Sequence, residues 1–391
     1  MIVLGLSSGT STDGIDVAAA RFALDGDLVR LAPLGHLSVA YSAELRRAIR
    51  AALPPAATTM HEVCEIDTRI GQEFAAAAQR GVRELAGERA DLISSHGQTV
   101  YHWVSDATVH GTLQLGQPAW IAEATGLPVV SDLRASDVAA GGQGAPLASL
   151  LDVLLLSGRA ERAAALNLGG IANVTVVRDD APPVAFDTGP ANALLDAAAR
   201  RVSGGRAQRD DDGAIARSGR VDPTLLDQLL AEPYYRLPPP KTTGLELFGA
   251  DYLDAALARG APPEGDLLAT LVELTAVTVA DALRPYEVTE VLASGGGTRN
   301  PALMDRLAHR LHPARISAPD DLGLDSDAKE AYLFALLGFL TWHGVAGSVP
   351  ACTGARRAAV AGRITPGPAP LRLPEPATTV PNRLRVDAPV R

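Results

Sequence analysis

A chain of 391 residues is long for one core, so two domains are the natural expectation. With 47% hydrophobic and 20% charged residues the composition is that of an ordinary soluble protein, and a formal charge of −10 argues against nucleic acid or an anionic membrane surface as main partner, because both demand clustered Lys and Arg. Two cysteines, Cys64 and Cys352, are too few for a disulfide framework and suit a reducing cytoplasm.

The apolar run 2–6 turns polar at Ser7 without a basic leader or cleavage site, so no signal peptide is expected. The runs 147–156 and 331–342 fall short of the roughly 20 residues of a spanning helix and read as buried core elements. Between 2–6 and 15–20 lies Ser7-Ser8-Gly9-Thr10-Ser11-Thr12-Asp13-Gly14, giving strand, turn, strand. Such a turn aims backbone N–H groups and hydroxyls at one spot, as a phosphate chain requires, and Asp13 and Asp16 suit a hydrated Mg²⁺; an ordinary hairpin loop has the same composition.

Extended chain is expected over 28–39, a short helix over 43–53 and a longer one over 61–85, where Ile66, Ile70, Phe74, Ala77 and Val82 recur at helical spacing. Two apolar strands follow that run into polar ends, 92–99 with Ser95-His96-Gly97-Gln98 and 129–132 with Ser131-Asp132. Strand ends of an α/β sheet are where ligands are usually met, although His96 also reads as a structural histidine. The stretch 131–147 holds Asp132, Arg134, Asp137 and three glycines between close apolar flanks, which predicts a loop shaped around something. Arg134 suits a carboxylate or phosphate, or a surface ion pair. The apolar segment ending at Gly158 closes the first domain.

The second half begins as the first did. Residues 163–177 read as strand, small polar turn, strand around Asn167-Leu168-Gly169-Gly170-Ile171-Ala172-Asn173. A duplicated hairpin at the head of each half predicts two related domains whose turns face one cleft. Asp187 stands at the end of 184–187, ahead of Gly189, Asn192 and a helix over 193–202. Residues 209–213 lack the glycine position and closing Glu of an EF-hand. Residues 238–244 form a loop with one cation, Lys241, and 266–283 an amphipathic helix. A strand over 291–294 leads into Gly295-Gly296-Gly297-Thr298-Arg299-Asn300 and a helix; a last helix is expected over 327–343, and the tail from 366 reads as irregular.

Three glycine turns after strands, with an isolated Asp187, suggest a nucleotide clamped between two domains. The first turn would hold the β- and γ-phosphates with Mg²⁺, the second the α- and β-phosphates and the third the adenosine. No Gly-x-x-x-x-Gly-Lys-Ser/Thr loop, no Gly-x-Gly-x-x-Gly on a first βα turn and no zinc signature occurs. Phosphoryl transfer needs positioning, charge neutralisation and one carboxylate to take a proton, a role that Asp187 fits.

Through Ser8 to Asp16, Ser95-His96-Gly97-Gln98-Thr99, 132–147, 167–173, 186–192, 294–301 and Lys329-Glu330-Ala331, the chain resembles the 1,6-anhydro-N-acetylmuramic acid kinases of bacterial cell-wall recycling, within the actin, sugar-kinase and heat-shock-chaperone ATPase superfamily. Ser7 stands where that family usually has Met, Ala191 where it has Gly, and Leu245 where an Arg commonly follows the Lys-Ser-Thr-Gly element. The resemblance implies an actin-like (ribonuclease H-like) α/β fold with a duplicated mixed-sheet core and an interdomain cleft. Its domains would be 1–158 and 159–391, the tail packing back near the first. It also implies a cytoplasmic enzyme and a homodimer.

Carried over residue by residue, the ATP site falls on Gly9, Thr10, Ser11, Thr12, Asp13, Gly14 and Asp16, on Asn167, Gly169, Gly170 and Asn173, and on Gly295, Gly296, Gly297 and Asn300. Asp187 would be the catalytic base. Asp13, Asp16 and Asp187 would hold Mg²⁺ through water. The anhydro-sugar would meet His96, Gln98, Asp132, Arg134, Asp137, Gly189, Asn192 and Glu330. The implied reaction opens the 1,6-anhydro bridge with water and passes the ATP γ-phosphoryl to the 6-oxygen. A kinase for another anhydro-sugar such as levoglucosan is the nearest alternative, and a non-sugar actin-like ATPase a more distant one.

Overall fold

The structure, a computed structural model, describes residues 1–9, 11–105, 108–258 and 260–388. In chain order its strands are β1 (Ile2–Ser8), β2 (Gly14–Asp25), β3 (Leu28–Ala40), β4 (Leu92–Ser105), β5 (Thr108–Leu115) and β6 (Val129–Ser131). They continue as β7 (Arg162–Leu168), β8 (Ile171–Arg178), β9 (Ala181–Pro190), β10 (Glu290–Ser294), β11 (Arg315–Ser317), β12 (Arg363–Thr365) and β13 (Arg383–Val386). The chain divides into two compact units, Met1–Leu155 with Leu322–Arg391, and Leu156–Asp321.

The sheet of the first unit runs β12-β6-β4-β1-β2-β3-β13, with β5 paired to β4. β1, β2 and β3 are antiparallel, β4 is parallel to β1, and β6 to β4. The second unit repeats this plan. Its sheet runs β11-β10-β7-β8-β9, with β7, β8 and β9 antiparallel, β10 parallel to β7, and β11 to β10. One strand order with one set of senses, used twice, is the duplicated ribonuclease H-like core.

β1 is apolar without alternation because both of its faces are covered. Leu4 and Leu6 pack with Ile66, Ile70 and Phe74 of the helix Met60–Glu84, whose start is fixed by a Thr59–Glu62 capping box. The other face meets the helix Lys329–Trp342, buried from Ala331 to Thr341. Its backbone lies so close that a Cβ at Gly5 would fall 1.9 Å from the Ala331 carbonyl oxygen, so only glycine fits there.

That helix corrects the expected division at 158/159. Chain order puts 329–342 in the second half, but its apolar face is matched to β1, β2 and β4 of the first unit. The tail is also less irregular than its composition suggests. β13 adds to the free edge of β3, with Leu384 buried and Arg383 paired to Asp27 at 2.9 Å. The stretch 131–147 contains the helix Ala135–Ala139, and the apolar run before Ser157 is a helix, Ala148–Leu156. In the second unit the helix Glu264–Leu283 covers the sheet, with Leu268, Leu271 and Val279 packed among Leu166, Val174 and Phe186.

Candidate active site

In the first unit the β1–β2 turn is held from two sides. Thr12, 1% exposed, takes the left-handed conformation (φ 53°) and donates its N–H to the Gly9 carbonyl at 3.2 Å. A β-branched residue at positive φ is strained and persists only where its surroundings impose it. Arg50, in the last turn of the helix Ala43–Ala52, donates Nε to Thr12 Oγ1 at 3.0 Å and Nη2 to the Ser11 carbonyl at 2.9 Å. From β4, Gln98 donates Nε2 to the Gly9 carbonyl at 3.1 Å, and its Oε1 lies 2.8 Å from Ser8 Oγ. Thr10 lies outside the described residues.

Asp13 accepts the Ser11 hydroxyl at 2.7 Å and Asp16 the Ser38 hydroxyl at 2.5 Å, and both residues are reached by solvent. No group of three or more His, Cys, Asp or Glu able to hold a metal occurs among the described residues. Two open carboxylates beside a phosphate-type turn, without a protein cage, fit a cation that keeps its waters and shares the phosphates, as Mg²⁺ does.

Beside the turn, His96 is 5% exposed and both ring nitrogens are engaged. Nε2 accepts from Arg134 Nε at 2.8 Å, so Nδ1 carries the proton and donates to the Gly97 carbonyl at 3.0 Å. Burial, reinforced by the Arg134 charge, lowers its pKa to about 3, so the ring is neutral. Arg134 also donates Nη1 to the Gly144 carbonyl at 2.6 Å and lies in the field of Glu330. Reduced hydration raises the Glu330 carboxyl pKa; Arg134 opposes that shift and Asp16 adds to it.

A cavity of about 300 Å³ opens in this unit, with His96, Gln114, Gln117, Ser131, Asp132 and Arg363 in its wall. Asp132 is left-handed at the end of β6 (φ 58°), and Arg363 Nε stands 3.7 Å from its Oδ2. Two of the expected sugar contacts are buried and hydrogen-bonded within the protein. Gln98 is 0% and Asp137 2% exposed. Asp137 accepts the Gly144 N–H and the Thr353 hydroxyl, each at 2.8 Å, closing the glycine loop.

In the second unit, Asp187 on β9 sits opposite Asn173 on β8. Asp187 Oδ2 accepts the Thr242 hydroxyl and the Thr243 N–H, each at 2.9 Å. The Asp187 N–H donates to the Lys241 carbonyl at 3.0 Å, and its carbonyl accepts from Tyr234 Oη at 2.9 Å. Burial raises the Asp187 pKa, the two donors oppose the shift, and Glu246 adds to it. Lys241 Nζ donates to the Tyr234 and Tyr235 carbonyls at 3.2 and 3.1 Å, so the one cation of this loop anchors it.

The other expected residues of this unit gather around the end of β7. Gly295 (φ 89°) brings the β10 turn so near that a Cβ there would stand 2.6 Å from Asn167 Oδ1 and 2.9 Å from the Leu168 nitrogen. Asn192 donates Nδ2 to the Leu168 carbonyl at 3.0 Å and its N–H to the Gly169 carbonyl at 3.0 Å, while Gly170 accepts from Ala191 and Ala193. Gly296 is exposed and Gly297 buried against Leu168. Gly189 is buried in front of the Tyr235 ring. Asn300 caps the helix Pro301–Leu311, accepting the Leu303 N–H at 3.3 Å. No motif flagged Arg50, Gln114 or Arg363, each marked only by what it touches; Thr242 and Thr243 lie in the Lys-Ser-Thr-Gly element, which gave no role to either hydroxyl or N–H.

Two ribonuclease H-like sheets of one strand order, each with a turn rich in glycine and polar residues after its first strand, define the actin-like class of α/β proteins. Among the described residues no helix is long and apolar enough to cross a membrane. The family model described as Anhydro-N-acetylmuramic acid kinase matches residues 1–367, and the chain belongs to that family. It is 60% identical over 387 residues to the anhydro-N-acetylmuramic acid kinase of Streptomyces coelicolor, covering 99% of both chains. To that of Rhodococcus erythropolis it is 54% identical over 397 residues, covering 99% of this chain and all of the relative. Among solved structures, component A of (R)-2-hydroxyglutaryl-CoA dehydratase from Acidaminococcus fermentans aligns with a TM-score of 0.45 at 12% identity, over 87% of this chain and 98% of that one.

Proposed function

We propose that this chain is the cytoplasmic ATP-dependent kinase that opens 1,6-anhydro-N-acetylmuramic acid with water and phosphorylates its 6-oxygen, giving N-acetylmuramic acid 6-phosphate and ADP in peptidoglycan recycling. Family membership over residues 1–367 supports the substrate. The observation that carries the chemistry is the carboxylate of Asp187, gripped through Oδ2 by two donors while Oδ1 takes no donor among the described residues.

In this reading Asp187 Oδ1 takes a proton from water as the water oxygen attacks the anomeric carbon. The bond from that carbon to the bridging 6-oxygen breaks, and the 6-oxygen, keeping the electron pair, attacks the γ-phosphorus. The bond from that phosphorus to the β-phosphate oxygen breaks and ADP leaves. The raised pKa of Asp187 makes it a stronger base than an ordinary carboxylate. The 9–16 turn holds the terminal phosphates, Gly169 and Gly170 the inner ones, and Gly295 to Gly297 leave room for the adenosine. Mg²⁺, held through water by Asp13 and Asp16, would neutralise phosphate charge. Asp132, Arg134 and Glu330 face the sugar, and neutral His96 keeps Arg134 in place.

The test is ADP release with and without 1,6-anhydro-N-acetylmuramic acid, with the phosphorylated sugar identified by mass. Release indifferent to the sugar, or phosphorylation of levoglucosan alone, would overturn the proposal.

A further inference from the structure

Asp187 is held at more points than a strand residue needs. Residues 241–243 run alongside it: the Lys241 carbonyl accepts its N–H, and the Thr242 hydroxyl and Thr243 N–H converge on one carboxylate oxygen, Oδ2. Tyr234 Oη closes the fourth point on its carbonyl. The loop is itself moored, because Lys241 Nζ binds two carbonyls of the Pro233–Arg236 turn and lies 4.7 Å over the Tyr234 ring. A cation used in this way belongs to the loop's frame. Leu245, 66% exposed, takes no part in the grip on Asp187, so the missing basic residue there leaves that grip intact.

Two donors on Oδ2 fix the carboxylate rotation and draw negative charge toward that oxygen. The arrangement parallels the third member of a catalytic triad, which orients a base without touching substrate. We propose that Thr242 is a positioning residue for the base: its hydroxyl locks Oδ2 so that Oδ1 is the oxygen that accepts the proton. This rests on the reading of Asp187 as general base.

The charged and titratable groups around Asp187 are few. Glu246 and Lys241 come from the same loop and Tyr234 from the turn packed against it, while Asn173 faces it from β8. Without the Thr242 hydroxyl, Oδ2 keeps only the Thr243 N–H, and the carboxylate rotation is no longer fixed.

The experiment measures kcat and KM for the parent, Thr242→Val and Thr242→Ser, varying 1,6-anhydro-N-acetylmuramic acid and ATP in turn with the other saturating. Thr242→Val is expected to lower kcat about 10- to 150-fold, the size of one lost hydrogen bond to a charged group. Thr242→Ser should restore kcat, and the KM values for ATP and sugar should stay near the parent's. Thr242 is exposed, so the fold does not depend on it; Thr242→Ala, read in the same way, guards against a local effect of the valine methyl. A kcat unchanged in Val and Ala, or a loss seen only in KM, overturns the inference. A parent that does not phosphorylate the sugar, or an Asp187→Asn variant that does, would instead sink the reading beneath it.

Discussion

Arg134 donates its Nε to His96 Nε2 at 2.8 Å inside the first unit, and that bond fixes the protonation of the ring. A proton on His96 would be buried beside a guanidinium, so the folded protein takes one only near pH 3, whereas the unfolded chain does so near the ordinary value of 6.5. The folded pKa is the lower one, so the unfolded state binds more protons between these values and stability falls as pH drops from about 6.5 toward about 3, by at most about 1.4 kcal/mol per pH unit. Thermal midpoints at pH 7 and pH 5 should fall further for the parent than for His96→Gln; equal drops would remove His96 from the cause.

Gln98 was expected at the sugar, and its buried amide instead braces Ser8 and Gly9. Gln98→Leu should therefore raise the KM for ATP and cost about 1–3 kcal/mol of stability in urea melts, since the Gly9 carbonyl and the Ser8 hydroxyl each lose one of two partners. A rise confined to the sugar KM would return Gln98 to the sugar site.

Arg50→Ala withdraws two donors from a turn that holds Thr12 at positive φ. The KM for ATP should rise about 5- to 10-fold with little change in kcat, because a strained turn kept in place by its neighbours loosens when one leaves. Arg50→Lys, with a single nitrogen for two acceptors, should recover part of the loss. Initial-rate kinetics at varied ATP decide it.

Asp187→Asn keeps an oxygen for Thr242 and Thr243 but removes the base. Turnover should fall about 10²- to 10⁴-fold, while ATP affinity, measured by calorimetry, stays near the parent's. Activity near the parent rate would mean that another group takes the proton.

Much of this was legible in the chain because it is local. Strand, glycine turn and strand at 2–20 and again at 163–177 follow from short runs of apolar and turn residues, and Asp187 could be singled out as an isolated acid, although its strand runs on to Pro190. Less visible were roles set by distant neighbours. His96, Gln98, Asp137 and Asn300 carry the right atoms for a ligand, yet their partners, Arg134, Gly9, Thr353 and Leu303, decide whether those atoms are available.

The sequence by itself determined the duplicated αβ plan, the glycine turns and the family, because periodicity, turn chemistry and motif order are properties of neighbouring residues. Only the tertiary structure decided that the helix Lys329–Trp342 belongs to the first unit, where a glycine on β1 admits its backbone. It also decided that a threonine some fifty residues downstream grips Asp187, at a sequence separation of 55. Burial and hydrogen bonding are made between segments far apart in the chain, so no local pattern records which side chains remain free for chemistry.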